Sequence, residues 1–266
     1  MSAARSFDSE HYYESYNRSR AAVLSELVPE LRKHLELRTA VDVGCGLGYF
    51  SALLHSLGFQ VTAVDGRAEN VAEAQRRVPQ ADFHAMNAED FALRKLGRYD
   101  LVLCFGLLYH LENPFLAIRH LHAIASKLLL VESTISPGAE PIMRLVDEYH
   151  GEDQGLNHVA FYPTEACLAK MMYQAGFHNV YRLVKMPEHP DFQANGSGQR
   201  VRTMLAAARA PLQSAFFERL EEPEVPYQPW SANRECAPAL SDRLRRFAGK
   251  PWSAKVESLK RILGGH

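Results

Sequence analysis

Short apolar runs and amphipathic stretches alternate along most of this chain. TAVDVG (39–44), QVTAVD (60–65), ADFHAMN (81–87), YDLVLCFG (99–106) and KLLLVEST (127–134) are brief apolar runs, most of them with β-branched or aromatic residues, as strands are. Between them, YFSALLHSLG (49–58), RAENVAEAQRRV (67–78) and PFLAIRHLHAIAS (114–126) carry apolar residues every three or four positions, as helices with one buried face do. Gly58 closes the first of these helices and Pro79 stops the second. Strand and helix in turn predict a parallel sheet covered on both faces. Uninterrupted runs such as LVLCF and LLLV fit strands buried on both sides.

The flanks are less regular. Residues 8–35 read as helix, with Leu24, Leu27, Leu31 and Leu35 on one stripe and Pro29 breaking or kinking it into two. Residues 137–162 read as a helix and then a loop. PTEACLAKMMYQAGF (163–177) reads as a helix with Pro163 near its first turn and Gly176 at its end. HNVYRLVKM (178–186) and QRVRTMLAAAR (199–209) read as strands around a loop at 187–198 rich in Pro, Asn and Gly. From 211 proline and acid accumulate, and 234–266 is basic. The expected division is an N-terminal helical lid (1–38), an α/β domain (39–210) with a substrate-side insert (135–177), and a C-terminal extension (211–266) with one or two short helices.

Composition narrows the class. With 266 residues, 47% hydrophobic and 23% charged, the chain fits one ordinary globular domain with an appendage. A formal charge of −1 gives no global pull toward nucleic acid or anionic membrane. The four cysteines, Cys45, Cys104, Cys167 and Cys236, are far apart and have no zinc-like spacing, which fits a reduced, cytoplasmic setting. MSAARSFDSEHYY lacks the apolar core of a signal peptide, and no apolar run reaches the roughly 18 residues of a membrane span. No membrane partner is expected, and the oligomeric state is open.

Gly44, Gly46 and Gly48 come directly after the first strand. Backbone without Cβ atoms lets a ligand approach closely, although a tight strand-to-helix turn alone also accounts for them. Asp65 closes the second strand about 20 residues on. It is placed to accept hydrogen bonds from ribose hydroxyls, or to cap the helix beginning near Arg67; the spacing favours ribose. The dinucleotide pattern GxGxxG is not met. The third glycine comes one residue early, Tyr49 fills the expected position, Asp42 lies two residues before Gly44, and no base sits in the loop. A neutral loop above an acid suits a ligand without phosphate, such as S-adenosylmethionine, whose cationic groups Asp42 can support through the loop or water.

VDVGCGLGYF (41–50) resembles the first motif of the class I S-adenosylmethionine-dependent methyltransferases. AVDG (63–66) resembles their second-strand acid, FHAMNAEDF (83–91) their adenine-framing motif, and YDLVLCFGLLYHLENP (99–114) their fourth strand and the helix after it. The resemblance spans 39–134 and loosens to 209. It implies a Rossmann-like, doubly wound, seven-stranded sheet whose last strand is antiparallel, with S-adenosylmethionine as cofactor. It also implies roles: Gly44 and Gly46 against the methionine part, Asp65 at the ribose, Asn87 and Ala88 at the adenine edge, and the Phe105 carbonyl near the amine, with Gly66 also counted among the cofactor-binding residues. Asn87 stands where Asp is common, but its amide oxygen still accepts. In FDSEHYYESY (7–16), Tyr12, Tyr13 and Tyr16 fit a lid over the cofactor; the plainer reading is a helix packed on the sheet.

Methyl transfer from a sulfonium is an in-line displacement that needs alignment and exclusion of water, and a base where the nucleophile carries a proton. Ligands of such sheets lie beyond the carboxyl ends of the strands. The catalytic candidates there are His110, Tyr109 and His158, with His110 either the base or an orienting group; Glu132 and His150 lie in the same region. His120 and His122 read as surface residues. Cys104, Phe105 and Gly106 stand where metal-dependent catechol-type enzymes place acids, so no metal is expected. The expected activity is methyl transfer to oxygen or nitrogen of a small-molecule acceptor. A second reading is RNA modification, because GLLYHLENP (106–114) is also similar to tRNA wobble-uridine carboxymethyltransferases and the basic tail suits phosphate.

Overall fold

The computed structural model describes residues 9–148, 155–156, 159–196 and 198–226. In chain order the elements are α1 (Ser9–Arg32), β1 (Thr39–Val43), α2 (Tyr49–Ser56), β2 (Gln60–Asp65), α3 (Ala68–Arg77), β3 (Asp82–Ala85), β4 (Tyr99–Phe105), α4 (Pro114–Ile124), β5 (Ala125–Thr134), β6 (Met143–Asp147), β7 (Val159–Pro163), α5 (Glu165–Ala175), β8 (Asn179–Leu183), β9 (Arg202–Ala208) and β10 (Phe217–Leu220). Single-turn helices at Phe91–Leu96, Leu108–His110 and Pro190–Phe192 join some of them.

The main sheet runs β10-β8-β9-β5-β4-β1-β2-β3. β1 pairs in parallel with β2 on one side and with β4 on the other. The strand order therefore reverses at β1, which opens a crevice beyond its carboxyl end. Period-two alternation supplies both layers of core. Leu101, Leu103 and Phe105 of β4 face a cluster with Leu24, Leu27 and Leu54. Val102 and Cys104 face another with Ile118, Leu121, Met172 and Phe177.

The sheet has eight strands, one more than expected. β9 is antiparallel to β5 and β8, as the resemblance implies for the last strand. β10 then pairs antiparallel with β8, from Phe217 opposite Leu183 to Leu220 opposite Val180. FERL is four residues long and has no apolar run, so only the free edge of β8 reveals it as a strand. The sheet thus continues past the boundary expected at 210. The chain divides into one unit ending at Pro223 and another from Glu224 to His266, and the tail from 227 lies outside the described residues.

Three further expectations change. α1 runs unbroken through Pro29. The carbonyl that Pro29 cannot serve belongs to Ser25, which is exposed and open to solvent, while Val23, Leu24, Leu27, Val28 and Leu31 pin the helix by burial. Residues 137–162 hold a strand where a helix was expected: β6 pairs antiparallel with β7, from Met143 opposite Pro163 to Asp147 opposite Val159. Ile142, Leu145 and Val146 mimic a helical spacing, yet Leu145 is 62% exposed, so no helix face is being buried. Finally, Thr164 rather than Pro163 starts α5. Its side chain accepts from the Cys167 N–H at 3.1 Å, and Gly176 closes the helix in the left-handed region, φ 113°. Among the described residues no helix is long and apolar enough to cross a membrane.

Candidate functional site

The glycine turn is tied to the end of β2. The N–H groups of Gly44 and Cys45 both donate to the Val64 carbonyl, at 2.9 and 3.0 Å. Gly44 has φ 81°, and a Cβ there would lie 2.9 Å from Leu107 Cβ. Around Gly46, φ 52°, nothing lies within 4 Å of the corresponding position, so the backbone is open on that side. The Gly46 N–H donates to Asp65 Oδ2 at 2.9 Å. Burial pushes the Cys45 and Cys104 thiols up, so neither is a ready nucleophile.

Of the two roles that its position leaves open, Asp65 fills the one at the start of α3. Its Oδ1 accepts from the Arg67 N–H and from Asn70 Nδ2, each at 3.0 Å, which fixes the start of α3. With Gly46 on Oδ2, about three of its roughly four acceptor positions are used, leaving room on Oδ2. Asp65→Ala is expected to weaken S-adenosylhomocysteine binding about 10- to 100-fold, the range of a charged hydrogen bond lost. Titration calorimetry checks this, and an unchanged affinity would remove the ribose role.

Asp42 lies beneath the turn, 2% exposed, with Oδ2 accepting from Ser51 Oγ at 2.7 Å. Burial, with Asp65 nearby, pushes its carboxyl up to about 6 from 3.8. The folded state therefore holds this proton more tightly than the unfolded chain. Its contribution is fully present below about pH 4 and is lost as pH rises through about 6, by up to about 3 kcal/mol. Asp42→Asn keeps an acceptor for Ser51 and should flatten that part of the stability curve. Urea unfolding at pH 4.5 and 7 measures it; a wild-type slope in the variant would refute it.

Gly44, Asp65, Gly66, Asn87, Ala88 and His110 line one cavity of about 70 Å³, which Leu107, Gly155 and Leu156 also border. A Cβ on Gly66 would meet Leu156 Cδ1 at 2.9 Å. Asn87 Oδ1 accepts from the Glu89 N–H at 3.0 Å. His120 is not a surface residue. It is 3% exposed, and its Nδ1 donates to the Ala88 carbonyl at 3.2 Å, bracing that loop from α4. Its helical spacing with Ala117, Leu121 and Ile124 was the available signal.

The His110 side chain is 13% exposed. Its Nδ1 pairs with the Glu148 carboxylate, an acceptor, so Nδ1 carries the hydrogen. Among the described residues, the buried Nε2 has no hydrogen-bond partner. Burial holds the imidazole below its ordinary value, against the opposing pull of Glu148.

Tyr16 and Tyr109 lie elsewhere than on this cavity wall. Both belong to a buried cluster around Glu132, which is fully inaccessible. Tyr16 Oη donates to Glu132 Oε1 at 2.8 Å, Arg20 Nη1 to Oε2 at 2.7 Å, and Arg202 Nη1 to Oε1 at 2.9 Å. Arg202 Nη2 also donates to Tyr109 Oη at 3.1 Å. Burial and Glu132 push the Tyr16 phenol up. The cluster adjoins the cleft: Arg20 Nη1 is 3.5 Å from where a Gly106 Cβ would stand. Phe105, at the end of β4, meets Phe50 edge-on at 5.2 Å. His158 and His150, with the side chains of Tyr12 and Tyr13, lie outside the described residues. Sequence reasoning missed Glu148, Arg20 and Arg202; no spacing links them to their partners. Among the described residues no group of three or more His, Cys, Asp or Glu is placed to hold a metal.

Comparison with known proteins adds to this geometry. Residues 16–182 match the family described as "Methyltransferase domain". The ubiquinone biosynthesis O-methyltransferase of Xanthomonas axonopodis pv. citri (strain 306) is 31% identical over 145 residues, 51% of this chain and 61% of that protein. The corresponding enzyme of Burkholderia thailandensis is 36% identical over 85 residues, 30% of this chain and 37% of its own length. This chain thus spans less than two thirds of those relatives. Among solved structures, the N-terminal domain of EvdMO1 with SAH bound has a TM-score of 0.57 at 22% identity, covering 73% of this chain and 81% of that one. Magnesium protoporphyrin IX methyltransferase from Synechocystis PCC 6803 with bound SAM has a TM-score of 0.54 at 20% identity, covering 79% and 87%. At these identities the structures match in fold.

Proposed function

The chain belongs to the class I S-adenosylmethionine-dependent methyltransferases, and on that premise we propose that it methylates a hydroxyl oxygen of a small-molecule acceptor, with His110 as the base. One observation carries the choice of a base: His110 belongs to the wall of the cavity that Gly44, Asp65 and Asn87 also line, and its buried Nε2 has no partner among the described residues. A buried polar atom without a partner costs free energy, and an acceptor O–H would satisfy it. Relatives that act as O-methyltransferases support oxygen over nitrogen.

The residues present fit the cofactor. Gly46 leaves backbone open, Gly44 leaves no room for a Cβ against Leu107 Cβ, and Asp65 retains an acceptor position. Asp65 would hold the ribose, Asn87 and Ala88 the adenine edge, Gly44 and Gly46 the methionine part, the Phe105 carbonyl the amine, and Asp42 the loop from below. A cavity of about 70 Å³ is small beside the ~300 Å³ or more of most ligand pockets, so the Leu107 and Leu156 side chains are the walls that must give. Bound there, S-adenosylmethionine supplies an electrophilic methyl group. His110 Nε2 takes the acceptor's proton, and its depressed pKa keeps it neutral and able to do so near pH 7.

The test is transfer of a labelled methyl group from S-adenosylmethionine to a panel of phenols, aliphatic alcohols, amines and unmodified tRNA, with the product bond identified by mass spectrometry. Label on oxygen of a small molecule supports the proposal. Label found only on nitrogen, or only on RNA, contradicts it.

A further inference from the structure

Glu148 lies just past the end of β6 and has a side chain only 7% exposed. Both of its oxygens are engaged. Oε1 meets His110 Nδ1, and Oε2 accepts from the Gly155 N–H at 3.0 Å. Gly155 is held in turn, since its carbonyl accepts from Arg67 Nη2 at 2.7 Å, and the Arg67 N–H is bound by Asp65. A chain of polar contacts therefore runs from the acid at the end of β2 to the imidazole in the cavity wall. The space at Gly155 is tight: a Cβ there would come within 2.6 Å of Glu148 Oε2.

A neutral imidazole has two tautomers, and only the one protonated at Nδ1 offers Nε2 as a base. A carboxylate accepts and does not donate. Placed on Nδ1, it selects that tautomer, fixes the ring plane, and stabilises the imidazolium once a proton is taken. We propose that Glu148 is a positioning residue of the reaction, setting the tautomer and orientation of His110 while the Gly155 N–H holds its other oxygen in place. This rests on the reading of His110 as the base. The charged groups facing His110 are Glu148 from the end of β6, Arg67 from the start of α3 and Arg202 from β9, with the Tyr109 ring alongside at 4.1 Å. Glu148 is the group that favours the protonated ring, and the two arginines oppose it.

Three variants test it: Glu148→Ala, Glu148→Gln and Gly155→Ala, the last displacing the carboxylate without altering it. The readouts are the imidazole nitrogen NMR of His110 in cofactor-free protein, calorimetry with S-adenosylhomocysteine, and kcat and acceptor KM against pH. In the wild type, His110 should carry its hydrogen on Nδ1. Glu148→Ala and Gly155→Ala should mix the tautomers and lower kcat about 10- to 100-fold, part of what a base supplies, with KM and cofactor affinity little changed. Glu148→Gln keeps an accepting oxygen but loses the charge. It should hold the tautomer and most of kcat while the acid limb of the profile moves to lower pH. If His110→Ala is inactive but Glu148→Ala keeps the wild-type tautomer, kcat and pH profile, the inference is overturned and the base reading stands. A fully active His110→Ala removes the base reading and this inference with it.

Discussion

Glu132→Ala should destabilise the folded protein by about 3–5 kcal/mol, the cost of breaking a buried ion pair from one side. Glu132 is fully buried, and the side chains of Arg20 and Arg202 are 7% and 15% exposed. Both guanidiniums point at the one carboxylate, which also receives the Tyr16 hydroxyl. Without it, the Arg20 guanidinium loses its carboxylate, and among the described residues Arg202 keeps only the Asp191 carboxylate, whose Oδ2 lies 3.7 Å from its Nε, with both side chains largely shielded from water. Stacking does not offset this. Arg20 Cζ lies 3.9 Å from the Tyr16 ring centroid and Arg202 Cζ 4.7 Å, but such contacts contribute only about 0.5–2 kcal/mol each. Replacing the whole cluster by apolar residues of similar volume is a different change, which removes the cations together with the carboxylate and is often neutral. Because Arg20 and Tyr16 belong to α1, Arg202 to β9 and Glu132 to β5, the loss should also loosen α1 from the sheet. Thermal unfolding should show a fall in Tm on the order of 10 °C for a domain of this size, and α1 amides should lose exchange protection. A Tm within 2 °C, roughly 1 kcal/mol or less, would contradict the pairing.

His110→Ala should lower kcat by about 10²–10⁴, the usual contribution of a positioned base, while S-adenosylhomocysteine affinity stays within a few-fold. The separation comes from geometry, since the groups assigned to the nucleoside are on β2, the loop after β3 and the glycine turn, and His110 contributes only one wall. The pH dependence carries the sign. A base must be neutral, so activity is lost as pH falls through the His110 pKa. Burial places that limb below the ordinary 6.5, and the variant should lack it. Steady-state rates from pH 5 to 9 with calorimetry on the same protein decide this. A variant at full rate would end the role of His110.

Legibility in the sequence tracks burial. β1, β4 and β5 are covered on both sides, so their apolar runs are continuous, and the turn after β1 announces itself through Gly44, Gly46 and Gly48. Of the two readings of Asp65, the helix start is seen directly, because the carboxylate binds the Arg67 N–H as well as the Gly46 N–H; the ribose role rests on the proposal. Where pairing decides structure, the chain was silent. β6 looks helical until VAFYP is found opposite it, and FERL becomes a strand only beside β8. The charged cluster was hidden for the same reason, since Arg20 and Arg202 lie 112 and 70 residues from Glu132. His120 was misread because a polar residue on an apolar helical stripe looks exposed until its partner, the Ala88 carbonyl, is in view.

Asp65 fastens the glycine turn and the start of α3, and under the proposal it also holds the ribose, so a single substitution disturbs both. The affinity of S-adenosylhomocysteine and of its 2′-deoxyribose analogue, each measured on wild type and Asp65→Ala, separates them. If the carboxylate holds the ribose, removing the hydroxyl should weaken binding to wild type by roughly 1–3 kcal/mol and cost almost nothing on the variant, a coupling of about 1 kcal/mol or more. Equal losses on both proteins would mean that Asp65 only fastens the turn, and that the nucleoside is held by other groups.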